Sequence, residues 1–185
     1  MYPGTKKPSV PEKSGYDGTE RKKREPKFWA VPLEVMQALN LPPFDYKVTN
    51  SGGNILIWDV LRRKHVVLTP EEWVRQHVVH YLTGHLGYPL GLLSLERGHA
   101  YNQRRKRTDL CAYDAHGKPL LLVECKAPSV PITAAVAMQA ATYNQTIGAP
   151  LLLLTNGLEH YCWRVDFEQR TNERLSEVPP YVVAG

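Results

Sequence analysis

Residues Thr108–Pro128, TDLCAYDAHGKPLLLVECKAP, set two apolar runs on either side of a turn and place Asp109, Glu124 and Lys126 among them. Charges inside buried strands cost several kcal/mol, roughly, unless they are paired or bound to metal. The stretch is therefore either a sheet edge reaching water or a functional site. Period two puts Glu124 and Lys126 on one strand face and Cys125 on the other. The side taken by Asp109 depends on the hairpin register. A two-residue His116-Gly117 turn, or a four-residue loop, sets Asp109 opposite Glu124 on one face. A three-residue loop closing in a Gly117 bulge shifts the pairing by one and sends Asp109 to the other face, unless a second bulge restores it.

Two opposed carboxylates repel unless something positive lies between them. A hard divalent cation answers this economically, because Mg²⁺ takes one or two carboxylates together with substrate phosphate. Lys126, on the face of Glu124, is then placed to orient water or offset charge on a phosphate. The structural alternative is a Glu124–Lys126 or Asp109–Arg107 ion pair on an edge strand. Glu-x-Lys is a cheap pattern: Glu20–Lys22 and Glu25–Lys27 repeat it in a polar tail. Only Glu124–Lys126 follows an apolar run, Leu120–Val123.

Working outward, Thr69 is a good N-cap, Pro70 suits a first helical position, and Glu72 completes a T-x-x-E capping box. A helix is expected from Pro70 to about Thr83, with Val74, Val78, Tyr81 and Leu82 as its apolar face. Ahead of it, FDYKVT and NILIWDV read as a β-hairpin across Asn50–Gly53, with HVVL as a third strand and a short helix near Pro32–Leu39. Strands are expected at 92–96, 108–114 and 119–126. A helix from Pro131 to about Ile147 presents Ala134, Ala135, Ala137, Ala140 and Ala141 as a slim packing side. LLLLT (151–155) reads as a strand buried on both faces, and after Asn156-Gly157 the run 160–167 alternates as a last strand. This order predicts an α/β domain around a mixed central sheet flanked by helices, with a β-hairpin region in front.

The chain's 185 residues favour one domain, with 43 % hydrophobic and 22 % charged residues. No apolar run reaches the ~20 residues of a membrane span, and the N-terminal stretch has no apolar core of a secretory signal; a cytoplasmic location is expected. Cys111, Cys125 and Cys162 lack CxxC spacing and read as buried free thiols. Residues 1–27 hold eight Lys/Arg and four Asp/Glu, so the net charge of +5 mostly describes a tail expected to be disordered. The expected organisation is a basic tail (1–27), a helix and hairpin extension (28–66), a core (67–170) and a C-terminal tail (171–185). His77, Tyr81 and His85 share a helix face but lack the pattern of a metal site. The basic runs Arg62–Lys64 and Arg104–Arg107 are solvated loops unless a phosphate track lies nearby.

Taken in order, Glu71-Glu-Trp-Val-Arg-Gln76, Arg107-Thr-Asp109, Leu122-Val-Glu-Cys-Lys-Ala-Pro128, Gln139-x-x-x-Tyr143 and Leu154-Thr-Asn-Gly157 resemble the PD-(D/E)XK nuclease superfamily. More narrowly, they resemble the N-terminal nuclease domain of type I restriction enzyme R subunits, in a small stand-alone form, over about Val67–Phe167. Thr108 stands where the superfamily label has proline. The resemblance implies a restriction-endonuclease-like core and a Mg²⁺-dependent (or Mn²⁺-dependent) deoxyribonuclease. In it Asp109 and Glu124 hold the metal, Lys126 is the catalytic lysine, and a glutamate of the first core helix assists at the metal: the E-x-x-x-R pattern selects Glu71 with Arg75 over Glu72, which the capping box already explains. Gln139 and Tyr143 lie beside the substrate strand, and Arg75 and Arg107 contact nucleic acid. DNA is the implied partner; a homodimer and a restriction-system partner enter by analogy alone. The alternative is a non-catalytic nucleic-acid- or protein-binding module on the same fold. No P-loop pattern is present for nucleotide-driven translocation.

Overall fold

The computed structural model describes residues 35–95 and 109–182. The expected tail 1–27 and the loop holding Arg107 lie outside the described residues. Three short strands come first: β1 (Val48–Ser51), β2 (Asn54–Asp59) and β3 (Lys64–Val67) form an antiparallel sheet in the order β1-β2-β3. One face of it packs Ile57 and Val66 against Trp73. The helix expected near Pro32–Leu39 is absent from its described part, which is turn and irregular chain. There the backbone bonds outward rather than to itself. Asn40 N–H donates to the Gly157 carbonyl at 2.7 Å, and its side-chain amide donates to the Leu158 carbonyl at 2.7 Å.

Helix α1 (Pro70–Gly84) starts where capping chemistry requires, with Thr69 Oγ1 accepting from Glu72 N–H at 3.1 Å. The reciprocal half of the box is replaced: the Glu72 carboxylate binds Arg62, Arg75 and Gln76 instead. A six-stranded sheet follows, built from β4 (Leu93–Ser94), β5 (Leu110–Tyr113), β6 (Pro119–Cys125), β7 (Leu151–Thr155), β8 (His160–Asp166) and β9 (Thr171–Leu175), in sequence order. Only β6 and β7 are parallel. Their crossover is α2 (Ala134–Ile147), capped by Thr133 and closed by Gly148 in the left-handed region. Of the expected strand 92–96, the described part, 92–95, holds only the two residues of β4, and Glu96 lies outside the described residues.

Helix α1 covers one sheet face over Leu110, Ala112, Leu121, Val123 and Leu153; α2 covers the other over Cys111, Leu122 and Leu152. Of the alanines expected to form a slim side, Ala140 is buried, Ala137 and Ala141 are half-buried, and Ala134 and Ala135 are exposed. All three cysteines are buried. The strand at 160–166 is not the last, because β9 pairs along it at residues expected to be tail. TNERL is polar and exposed on the sheet edge, so it carries no apolar alternation to read. Among the described residues no helix is long and apolar enough to cross a membrane.

Candidate active site

Two compensating irregularities place Asp109. The turn between β5 and β6 is a three-residue loop: Asp114 N–H donates to the Lys118 carbonyl at 2.9 Å, and Gly117 takes φ 76°. By itself this would misplace Asp109. The pairing shifts back between Ala112 and Tyr113, so that Ala112, Cys111 and Leu110 face Leu121, Leu122 and Val123. Continued by one residue, this register sets Asp109 opposite Glu124. Strand β6 lies between β5 and β7, which removes the edge-strand account of its charges.

The Asp109 carboxylate is nearly buried and held at both oxygens. Oδ2 accepts the Cys125 N–H at 2.6 Å, and Oδ1 accepts from Arg75 Nη2 at 2.5 Å. Arg75 Nη2 also reaches Glu71 Oε1 at 3.0 Å, while Nη1 donates to Glu72 Oε2. One buried guanidinium thus ties three carboxylates together. Its charge is correspondingly fixed: Asp109 and Glu72 hold its pKa above the ordinary arginine value against the pull of burial. Arg75, expected to reach nucleic acid, is turned inward and occupied.

Lys126 Nζ donates to Glu124 Oε1 at 2.5 Å. Burial raises the Glu124 pKa, opposed by the Lys126 hydrogen bond and reinforced by the charges of Asp109 and Glu71. Burial also pulls on Lys126, but Glu124, joined by Asp109 and Glu71, outweighs it and holds the ammonium above the usual lysine value. Cys125 faces the α1 core, where burial pushes its thiol well above the usual range, leaving no nucleophile there. The backbone of Lys126 is anchored by its N–H to the Thr155 carbonyl at 2.8 Å. Beside it, Asn156 Nδ2 donates to the Val130 carbonyl and its Oδ1 caps the β7–β8 turn, accepting from Leu158 and Glu159. The Leu154–Gly157 motif is therefore a brace for the strand carrying Glu124.

Two further expected residues lie on α2. Gln139 is exposed on α2, and Tyr143, one turn along, is half-buried beside the Cys111–Leu122–Leu152 cluster. Their helix covers the sheet face that carries Glu124, since Leu122 and Leu152 belong to both. His77 is packed between Phe44 and Trp73. Two residues do more than the sequence reading gave them. Glu72 is buried and central rather than a simple cap, and Arg62 reaches it from the turn after β2. The i,i+3 spacing of Glu72 and Arg75 is a visible signal; nothing local announces Arg62.

The donor chemistry fits a hard divalent cation. Five carboxylates (Asp59, Glu71, Glu72, Asp109, Glu124) stand with three cations (Arg62, Arg75, Lys126), a formal excess of two negative charges. Asp109 and Glu124 present carboxylate oxygens, the donor type such an ion takes. No three metal-ligating side chains are gathered ready-made among the described residues.

A family model described as the type I restriction enzyme R protein N terminus (HSDR_N) matches residues 70–179, more than half of the chain. Among solved structures, a fragment of an HsdR subunit of a type I restriction enzyme from Vibrio vulnificus YJ016 is 23 % identical, with a TM-score of 0.33. That likeness covers 48 % of this chain and 16 % of the Vibrio chain. No curated protein sequence matches.

Proposed function

The chain belongs to the family of type I restriction enzyme R protein N termini, and from that premise we propose that it is a metal-dependent nuclease hydrolysing phosphodiester bonds in DNA, on a core of PD-(D/E)XK type. Asp109 and Glu124 hold Mg²⁺ or Mn²⁺, with Glu71 assisting from α1. When bound, the ion supplies Lewis-acid stabilisation of the phosphate and a more acidic water. Arg75, bonded to Oδ1, holds the Asp109 carboxylate with its other oxygen on the Cys125 N–H of β6. Lys126, held as an ammonium by Glu124, is an electrostatic stabiliser and water-orienting donor rather than a base.

One observation carries this reading. The hairpin register pairs Leu110 with Val123, Asp109 Oδ2 accepts the Cys125 N–H at 2.6 Å, and Lys126 Nζ lies 2.5 Å from Glu124 Oε1. The test is cleavage of single- and double-stranded DNA with Mg²⁺ or Mn²⁺, comparing the protein with Lys126→Ala. Metal-dependent cleavage that disappears in the variant supports the reading; equal cleavage by both marks a contaminant and overturns it. Cleavage by neither favours a second reading, a non-catalytic nucleic-acid- or protein-binding module. That reading draws on Asp109 being already held at both oxygens by Arg75 and Cys125 N–H.

A further inference from the structure

The three-stranded sheet joins the candidate site through one unbroken line of charges. Asp59, 1 % exposed, ends β2. Its Oδ1 accepts from Leu61 N–H at 2.8 Å and Arg62 N–H at 2.9 Å, closing the turn. Its Oδ2 takes Arg62 Nη1 at 2.6 Å, and the same nitrogen donates to Glu72 Oε1 at 3.0 Å. Gln76 Nε2 shares that Glu72 oxygen at 2.9 Å. Arg75 takes the other Glu72 oxygen and passes on to Asp109. Asp109 in turn accepts the Cys125 N–H, next to Glu124 and Lys126.

From this geometry we infer that Arg62 and Glu72 are positioning residues of the site, so that the β1–β3 extension is part of the catalytic apparatus rather than an appendage. The inference rests on the reading of Asp109 as a site carboxylate. The physical reason is competition for one guanidinium. Arg75 divides its two terminal nitrogens between Glu72 on one side and Asp109 with Glu71 on the other. Arg62 supplies the second positive charge to Glu72. Without it the Glu72 carboxylate draws more heavily on Arg75 Nη1, and the opposite nitrogen slackens its hold on Asp109. In low-dielectric surroundings such a redistribution is strong. Buried charges that hold one another also fix orientation, as partners behind metal-binding carboxylates do.

The test uses Arg62→Met, which keeps the apolar stem and removes the charge, and Arg62→Lys. Because a single nitrogen of Arg62 makes both contacts, the lysine variant is expected to restore them. The readout independent of activity is the Cys125 amide, whose proton points at Asp109 Oδ2. In Arg62→Met this resonance moves upfield and its hydrogen exchange quickens. The Gly148 amide, bonded to the Asn144 carbonyl at 2.7 Å on the other helix, stays put. Arg62→Lys returns the Cys125 signal toward its original position. With Mn²⁺ as probe, the apparent dissociation constant rises about tenfold in Arg62→Met, the lower end of what outer partners of metal ligands contribute. If Arg62→Met does not fold, Arg62→Gln, which keeps a polar donor without the charge, gives the same readouts. A Cys125 amide unchanged in a folded variant overturns the inference. Absence of DNA cleavage by the unaltered protein would sink the nuclease reading alone, since the amide readout stands without it.

Discussion

Arg75→Met removes the guanidinium that ties α1 to Asp109, just ahead of β5. Arg75, Glu72 and Asp109 have side chains 10 %, 8 % and 11 % exposed, so the two carboxylates would remain where water cannot replace their partner. Breaking a buried pair from one side costs roughly 3–5 kcal/mol. Glu71, whose side chain is 45 % exposed, adds at most ~1 kcal/mol as a surface pair. Against this, Arg75 Nε is buried with no partner among the described residues, and its removal relieves ~1 kcal/mol or more. Glu72 also retains Arg62 and Gln76. The balance is a loss of about 2–4 kcal/mol, or roughly 5–15 °C in Tm for a chain of this size. Urea unfolding followed by fluorescence of buried Trp73 measures it, with Asp109→Asn and the double variant completing a cycle. The coupling between positions 75 and 109 should reach ~1.5–3 kcal/mol, the range of a hydrogen bond to a charged group. A single variant within ~1 kcal/mol of the parent, or effects that add within ~0.5 kcal/mol, would refute the account of Arg75 as the clamp.

Two further outcomes follow from the same geometry. Glu124 carries a folded-state pKa raised above its unfolded value, so ionising it opposes folding. Glu124→Gln is therefore expected to raise Tm at neutral pH while removing metal-dependent cleavage; the gain should vanish below about pH 4.5, the unfolded value, and grow as pH rises through the folded one. Melting curves of both proteins across that window check the sign. Gly157, at φ 84°, would bring an added Cβ to 2.8 Å from Leu39 Cδ2 and 3.1 Å from Val74 Cγ2. Gly157→Ala should cost about 2–4 kcal/mol from overpacking and the left-handed backbone together. Gly148→Ala, at φ 77° with open space around it, should cost only about 1–2 kcal/mol; equal losses in the two would remove the packing argument.

How much of this was legible differs by element. Helix α1 announced itself through Thr69, Pro70 and the Val74–Val78–Leu82 stripe, because capping and periodicity act within a few residues. The buried run of β7 and the faces of Glu124, Lys126 and Cys125 were equally local. Strand β9 was invisible: it is held by β8 rather than by apolar residues of its own. The Val35–Leu39 segment failed as a helix because Asn40 finds its hydrogen bonds on the β7–β8 turn, more than a hundred residues away.

The sequence by itself determined which residues are chemically able to act, since residue type and a two-residue strand period suffice to put a carboxylate and a lysine on one face. Only the tertiary structure decided the register that leads Asp109 toward them. That outcome needs two irregularities in one hairpin to cancel, and a bulge is selected by packing on both sheet faces rather than by the turn's own residues. Only the tertiary structure, too, decided that Arg75 turns inward and that Arg62 stands behind Glu72. Coulomb attraction acts through space, so partners ten and thirty-four residues apart along the chain leave no mark in any local window.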